Sequence, residues 1–422
     1  MELEQLDQRV LWHPFTQMAE WSPLVIASGD GNYLVDTDGR RYLDGVSSLW
    51  CNVHGHAHPR LNRALREQAD TLAHSTFLGL THEPGIRLAS ELVAIAPRGL
   101  TRVFYSDSGS SAVEIALKQS FQYWQLRGRR SKQKFLRLTD AYHGDTLGAV
   151  GVGGIDLFHR VFGPLLVQSI PIPTPAGSDG SEALARLEKE LELRAYEIAA
   201  FIFEPLIQGA AGMLVHPDGF LARAAELCRR HGVHVILDEV ATGFGRTGTM
   251  FACEQEEVQP DFLCLAKGIT GGYLPLATTL ATEEIFSAFL GARSEMKHFF
   301  HGHTYTANPL ACAVARESLR LLQDETLANA RARIPEVSAA LARIAKLAGV
   351  REVRSRGLMC GIELVSREGR ALGVEACELV RAHGVILRPL GDVVVWMPPL
   401  SIRADEVELL ERATSLAISE LA

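Results

Sequence analysis

The sequence predicts an α/β chain built around a mostly parallel sheet covered by helices on both faces. Short apolar runs alternate with longer amphipathic ones through its middle, and carboxylates, serines or glycines follow the apolar runs. Alternation of this kind is the signature of parallel strands linked by crossover helices. The expected strands are Arg102–Ser106, Phe135–Thr139, Ala199–Glu204, Val233–Asp238, Phe262–Ala266 and Ala277–Ala281. After Ser110, Val113, Leu117, Phe121 and Trp124 fall on one helical face. Ligands of such sheets bind beyond the carboxyl ends of the strands, so residues at those ends carry the search for function.

The flanks read differently. Residues 1–45 hold short strands and turns such as Gly29-Asp-Gly-Asn and Asp38-Gly-Arg. Beyond Leu310 a long helical stretch precedes short strands at Met359–Leu364 and Val393–Met397. Three segments follow: 1–50 and 311–422 join in a smaller lobe over a large domain at 51–310.

Bulk properties narrow the class. At 422 residues, 47% hydrophobic and 22% charged, the chain can bury a large core. A net charge of −8 without a dense basic stripe argues against nucleic acid as a partner. No apolar run approaches the roughly 20 residues that cross a bilayer, and the opening Met-Glu-Leu-Glu-Gln lacks a leader's basic and apolar regions. Seven cysteines without a Cys-x-x-Cys fit reduced thiols, so a cytoplasmic enzyme is expected.

Lys267 is the most telling residue. It stands where the apolar run Phe262–Ala266 ends in Gly268, Gly271 and Gly272. A second apolar run ends in Asp238 and Glu239. An amine and a carboxylate at neighbouring strand ends suit pyridoxal phosphate: one forms the Schiff base, the other holds the pyridine nitrogen protonated. Successive strand residues point to opposite faces, so Asp238 and Glu239 need not share a site; Asp238 takes the role. Ser108-Gly109-Ser110-Ser111, between a strand and an amphipathic helix, offers free amides to a phosphate. Tyr142, in Tyr142-His143-Gly144-Asp145 after the next strand, can cover a planar ring.

Other patterns compete. Gly243-Phe-Gly245-Arg-Thr-Gly248 matches a dinucleotide fingerprint, with Asp261 downstream for a ribose. The glycines start late after the strand, and Pro260 stops the short segment that follows, so a nicotinamide enzyme is the weaker reading. Histidines 54, 56, 58, 298, 301 and 303 cluster, but Gly55 and Pro59 break any strand and no metal site is expected. Arg388, held extended by Pro389, has the fork to clamp a carboxylate.

Together the motifs resemble the class III, fold type I, pyridoxal-phosphate aminotransferases, and within them the 8-amino-7-oxononanoate aminotransferases of biotin biosynthesis. The resemblance lies in Trp12-His-Pro-Phe-Thr-Gln, Asp44-Gly-Val-Ser-Ser-Leu-Trp-Cys-Asn-Val-His-Gly-His, Asp107-Ser-Gly-Ser, Tyr142-His-Gly-Asp-Thr, Asp238-Glu-Val-Ala-Thr-Gly-Phe-Gly-Arg-Thr-Gly, His301-Gly-His-Thr-Tyr-Thr-Ala-Asn-Pro and Met397-Pro-Pro. It implies that Lys267 binds the cofactor aldehyde and shuttles a proton, while Asp238 pairs with the pyridinium. Val240 and Tyr142 would bracket the ring. Gly109 and Ser110 would bind the phosphate with Thr304 of a neighbouring subunit, making the working unit a homodimer. Arg388, Phe15, Trp50 and Gly302 would hold the substrate, with Asp145 and Arg246 as a supporting ion pair. The implied reaction converts 8-amino-7-oxononanoate to 7,8-diaminononanoate. Phe15, Leu49 and Leu390 depart from relatives that use S-adenosylmethionine, so either S-adenosylmethionine or lysine is the implied donor.

Overall fold

In the computed structural model, which describes residues 2–421, seven strands form the central sheet. Their spatial order is Leu100–Ser106, Ala277–Thr282, Phe262–Leu265, His234–Asp238, Ile198–Phe203, Lys134–Leu138 and Ile170–Ile172. Only Ala277–Thr282 runs against its two neighbours; the remaining pairs are parallel. All six expected strands are present, with ends shifted by a residue or two. The unexpected edge strand Ile170–Ile172 has only three residues and carries Pro171 at its centre, which hides it in a pattern search.

The middle strands are buried throughout, because helices pack on both faces. Phe201, Phe203 and Phe262 are fully enclosed, and each such side chain stabilises the core by about 1.5–3 kcal/mol. The helix Gly109–Leu126 buries Ala112, Val113, Ala116, Leu117, Ser120 and Tyr123. Phe121, read as part of that stripe, is instead 39% exposed. Eight residues on from Val113, the helix has turned roughly 80° beyond two full turns, so the Phe121 side chain rotates off the buried face.

Both chain ends build the neighbouring sheets. Ile26–Asp30, Tyr33–Asp36 and Arg41–Asp44 form an antiparallel meander that Val385–Ile386 joins in parallel, Val385 opposite Leu43. A second sheet orders Val350–Arg356, Met359–Leu364, Val393–Trp396 and Arg388–Leu390. Among the described residues, no helix is long and apolar enough to cross a membrane.

Register decides where the chemistry lies. His234–Asp238 and Phe262–Leu265 are parallel, with Asp238 opposite Cys264. Their carboxyl ends therefore open side by side, and Asp238, which ends one strand, and Lys267, just past the other, line one cavity.

Candidate active site

Lys267 starts the short 3-10 turn Lys267–Thr270 directly after its strand, with φ of +44°. A β-strand cannot continue through a left-handed residue, and a lysine held there carries backbone strain that the surrounding structure must maintain. Its Nζ lies 5.0 Å from the Trp50 ring centroid. Burial lowers the amine below the usual lysine range, against the opposing pull of Asp238, Glu204 and Cys51. A larger neutral fraction makes the nitrogen a better nucleophile.

Asp238 is 4% exposed. One oxygen is 2.7 Å from His143 Nδ1 and the other accepts the Val240 amide at 3.0 Å. Two donors thus fix the carboxylate where the parallel strands open. Glu239 points away and accepts the Ala252 and Cys253 amides at 2.7 and 2.8 Å. Strand alternation separates the two acids as expected: one faces the cavity, the other anchors a turn.

The cradle follows from sterics. Ser108 caps the helix Gly109–Leu126, accepting the Ser111 amide at 3.2 Å. A Cβ at Gly109 would stand 2.6 Å from Val240 Cγ1, and one at Gly144 only 1.8 Å from Ser110 Oγ. Glycine at both positions lets three backbone segments converge on the helix N-terminus, where amides and macrodipole favour an anion.

These residues line a cavity of about 400 Å³ together with Trp50, Cys51, Asp107, Tyr142, His143, Glu204 and Tyr273. The Tyr142 hydroxyl donates to Asp145 at 2.8 Å, and its ring lies nearly parallel to His159 at 6.1 Å. Burial and the Asp145 carboxylate push the phenol well above its ordinary value. Trp50 is 6% exposed, with its indole nitrogen unpartnered.

The other implied residues lie elsewhere. Arg388 has its guanidinium carbon 5.9 Å from the Phe15 ring, and Phe15 meets Phe158 edge-on at 5.5 Å. Arg388 makes no ion pair among the described residues, so its fork is free for a carboxylate. Gly302 and Thr304 do not line the Lys267 cavity of their own chain; they face a second hollow with His74, Phe77 and Tyr105. The ion pair implied for Asp145 and Arg246 is not formed. Arg246 is 2% exposed and donates to the carbonyls of Asn52, Met397 and Pro398, while Asp145 accepts from Tyr142. Arg246 is therefore a tie between the two chain ends and the centre.

The dinucleotide pattern is also explained. Gly245 and Gly248 take φ of +94° and +100° in a turn, and only the short 3-10 helix Ala252–Glu256 follows. Asp261 accepts the Val235 amide at 2.7 Å. Three of the clustered histidines are spoken for by side-chain partners: His54 sits between Thr326 and Ser318, His56 bonds Asp44, and His301 meets Lys118.

Sequence reasoning missed two site residues. His143 stood in a quoted motif without a role, and Glu204 was only a strand end. A signal existed for Glu204: like Asp238, it is an acid following an apolar run, here ahead of Pro205.

Residues 16–418 match the family model described as aminotransferase class-III. The chain belongs to the class-III aminotransferases. An adenosylmethionine-8-amino-7-oxononanoate aminotransferase of Geobacter sulfurreducens is 50% identical, covering 97% of this chain and 95% of that relative. The crystal structure of the Methanocaldococcus jannaschii enzyme of that name superposes with a TM-score of 0.96 at 44% identity, covering 99% of this chain and 98% of the other. An (S)-enantioselective ω-transaminase from Thermomicrobium roseum superposes at 0.94 with 36% identity, covering 99% and 98%. Class-III aminotransferases depend on pyridoxal 5'-phosphate, and an ω-transaminase of Pseudomonas jessenii is solved with its amine form, PMP. The residues of this class-III chain fit that group. A His143-backed acid, a lysine with a lowered pKa and a glycine-lined helix N-terminus share one cavity, matching ring nitrogen, aldehyde and phosphate.

Proposed function

We propose that this chain transfers an amino group to the ketone of 8-amino-7-oxononanoate, forming 7,8-diaminononanoate, with S-adenosylmethionine or lysine as donor. The observation that carries the chemistry is Lys267 in a left-handed conformation beside the His143-backed Asp238. Pyridoxal phosphate, when bound, supplies the electron sink that stabilises charge on the substrate carbon. The protein's own groups do the rest. Asp238 would keep its ring nitrogen protonated, Gly109 and Ser110 would hold its phosphate, and Tyr142 and Val240 would bracket its ring. Lys267 moves the proton between substrate carbon and the atoms beside it, with Nζ held near Trp50. Arg388 takes the carboxylate at the far end of the keto acid, and Phe15 and Trp50 line its apolar chain. Relatives at 50% and 44% identity that carry the adenosylmethionine-8-amino-7-oxononanoate name support this substrate.

The working unit in this reading is a cytoplasmic homodimer, with Thr304 and Gly302 supplied across the interface. Their position outside the cavity of their own chain supports that arrangement. Segments 1–50 and 311–422 form the lobe over the 51–310 domain. Similarity to ω-transaminases favours one second reading, a class-III enzyme acting on another ω-amino acid or diamine.

The test is single-turnover. Purified protein should be yellow, and borohydride should fix the cofactor to Lys267. Amine-form enzyme should lose its amino group to 8-amino-7-oxononanoate faster than to simple ω-keto acids; the reverse order selects the second reading. Lys267→Ala should fold, bind cofactor without a covalent link and lose turnover. Near-normal turnover in that variant ends the proposal.

A further inference from the structure

One buried acid in the cavity holds neither cofactor nor substrate in the proposed reaction. Glu204 follows the strand Ile198–Phe203 and lines the cavity with Lys267, Asp238, Tyr142 and Trp50. It is 5% exposed. Among the described residues no lysine, arginine or histidine reaches it at ion-pair distance. One oxygen accepts the Gly209 amide at 2.8 Å and the other the Tyr142 amide at 3.4 Å. A carboxylate removed from water and met only by neutral amides is costly, so the proton is retained further into the neutral range. Burial pushes the group up to about 7, with His143 pulling the other way.

Its two partners are both parts of the site. Tyr142 carries the ring-bracketing phenol. Gly209 abuts the indole: a Cβ there would lie 3.3 Å from Trp50 Cζ3 and 3.7 Å from Glu204 Oε2. Trp50 in turn spreads its ring 5.0 Å from Lys267 Nζ. Carboxyl, indole and amine therefore form one contiguous wall.

We infer that Glu204 is a positioning residue of the transfer reaction, holding the Tyr142 and Gly209 backbones in place and setting the proton affinity of the nitrogen at Lys267. The inference rests on Lys267 being the cofactor anchor. The charged and titratable groups that bear on Lys267 are Asp238 from the adjoining strand, Glu204, Cys51 beside Trp50, and Arg246 from the glycine turn. Those that bear on Glu204 are His143 and Asp238. Asp238 is tied to His143, and Arg246 to backbone carbonyls. Glu204 is held by amides alone, so its charge is the one that a change of pH near neutrality can alter without breaking an ion pair.

The experiment titrates the absorbance of the Lys267-linked cofactor in wild-type, Glu204→Gln and Glu204→Asp holoenzymes, with cofactor content measured in each. Removing a nearby negative charge should lower the Glu204→Gln midpoint by about one pH unit, while Glu204→Asp keeps most of the wild-type value. A Glu204→Gln midpoint equal to wild type at full cofactor content overturns the inference and leaves the anchor intact. A wild-type protein without the chromophore overturns both. Should Glu204→Gln fail to fold, the infrared band of a protonated carboxyl in wild type decides. It should titrate near neutrality and move in Glu204→Asp, and its absence refutes the assignment.

Discussion

Substituting Gly109 by alanine tests the cradle at its tightest point. The new Cβ would sit 2.6 Å from Val240 Cγ1 and 3.0 Å from Cγ2, against about 3.5–4.0 Å for relaxed carbon pairs. About 1 Å of separation must be found. The helix cannot easily withdraw, because Ala112, Val113 and Ala116 behind it are fully buried. Val240 cannot easily withdraw either, because its amide is bound to the Asp238 carboxylate at 3.0 Å. Overpacking of this kind costs about 1–3 kcal/mol. The displacement falls on the phosphate cradle and on Asp238, so the cost should appear in cofactor affinity, as a loss of about 5- to 150-fold. Equilibrium binding of pyridoxal phosphate to the apoprotein measures it. Val240→Ala in the same chain should restore most of the loss, since it removes the colliding methyls, and the double-mutant cycle gives the coupling. Unchanged affinity in Gly109→Ala, or no recovery in the double variant, refutes the steric argument.

Arg388→Ala should raise KM for 8-amino-7-oxononanoate about 10- to 100-fold, the worth of a charge-assisted fork, with the chromophore unchanged; steady-state kinetics check it. Arg246→Ala should lower unfolding stability by about 3–5 kcal/mol, because buried carbonyls of Asn52, Met397 and Pro398 lose their donor, and urea unfolding reads the loss. Lys132→Met should cost about 2–4 kcal/mol in the same assay. That ammonium donates to the carbonyls of Ala195, Ile198 and Gly232, each at 2.8 Å. Glu239 is buried and pushed up to about 7, above its unfolded value. The folded state therefore binds the extra proton, and this contribution is present at acid pH and lost as pH rises through about 7. Glu239→Gln should flatten the fall in urea midpoint between about pH 5 and 8; an unaltered slope contradicts that assignment.

Much of this was readable in one dimension. Alternating apolar and amphipathic runs determine a doubly covered sheet because hydrophobic period reflects which faces are buried. Lys267 and Asp238 stood out because an acid and an amine at the ends of apolar strands have few structural uses. Gly109 was legible as part of an anion-binding turn, whereas its close approach to Val240 emerged only from the tertiary structure. Tertiary structure alone decided which distant residues meet. Arg246 lies in a motif that reads as a ligand loop, and its implied partner was Asp145. Its true partners are carbonyls from Asn52 and from Met397 and Pro398, and no local pattern records a backbone acceptor far along the chain. Glu204 and His143 became site residues only when parallel register brought three strand ends together. Sequence spacing encodes the burial and direction of a strand, whereas a contact between strands depends on their order in the sheet, which many sequences of the same period can satisfy differently.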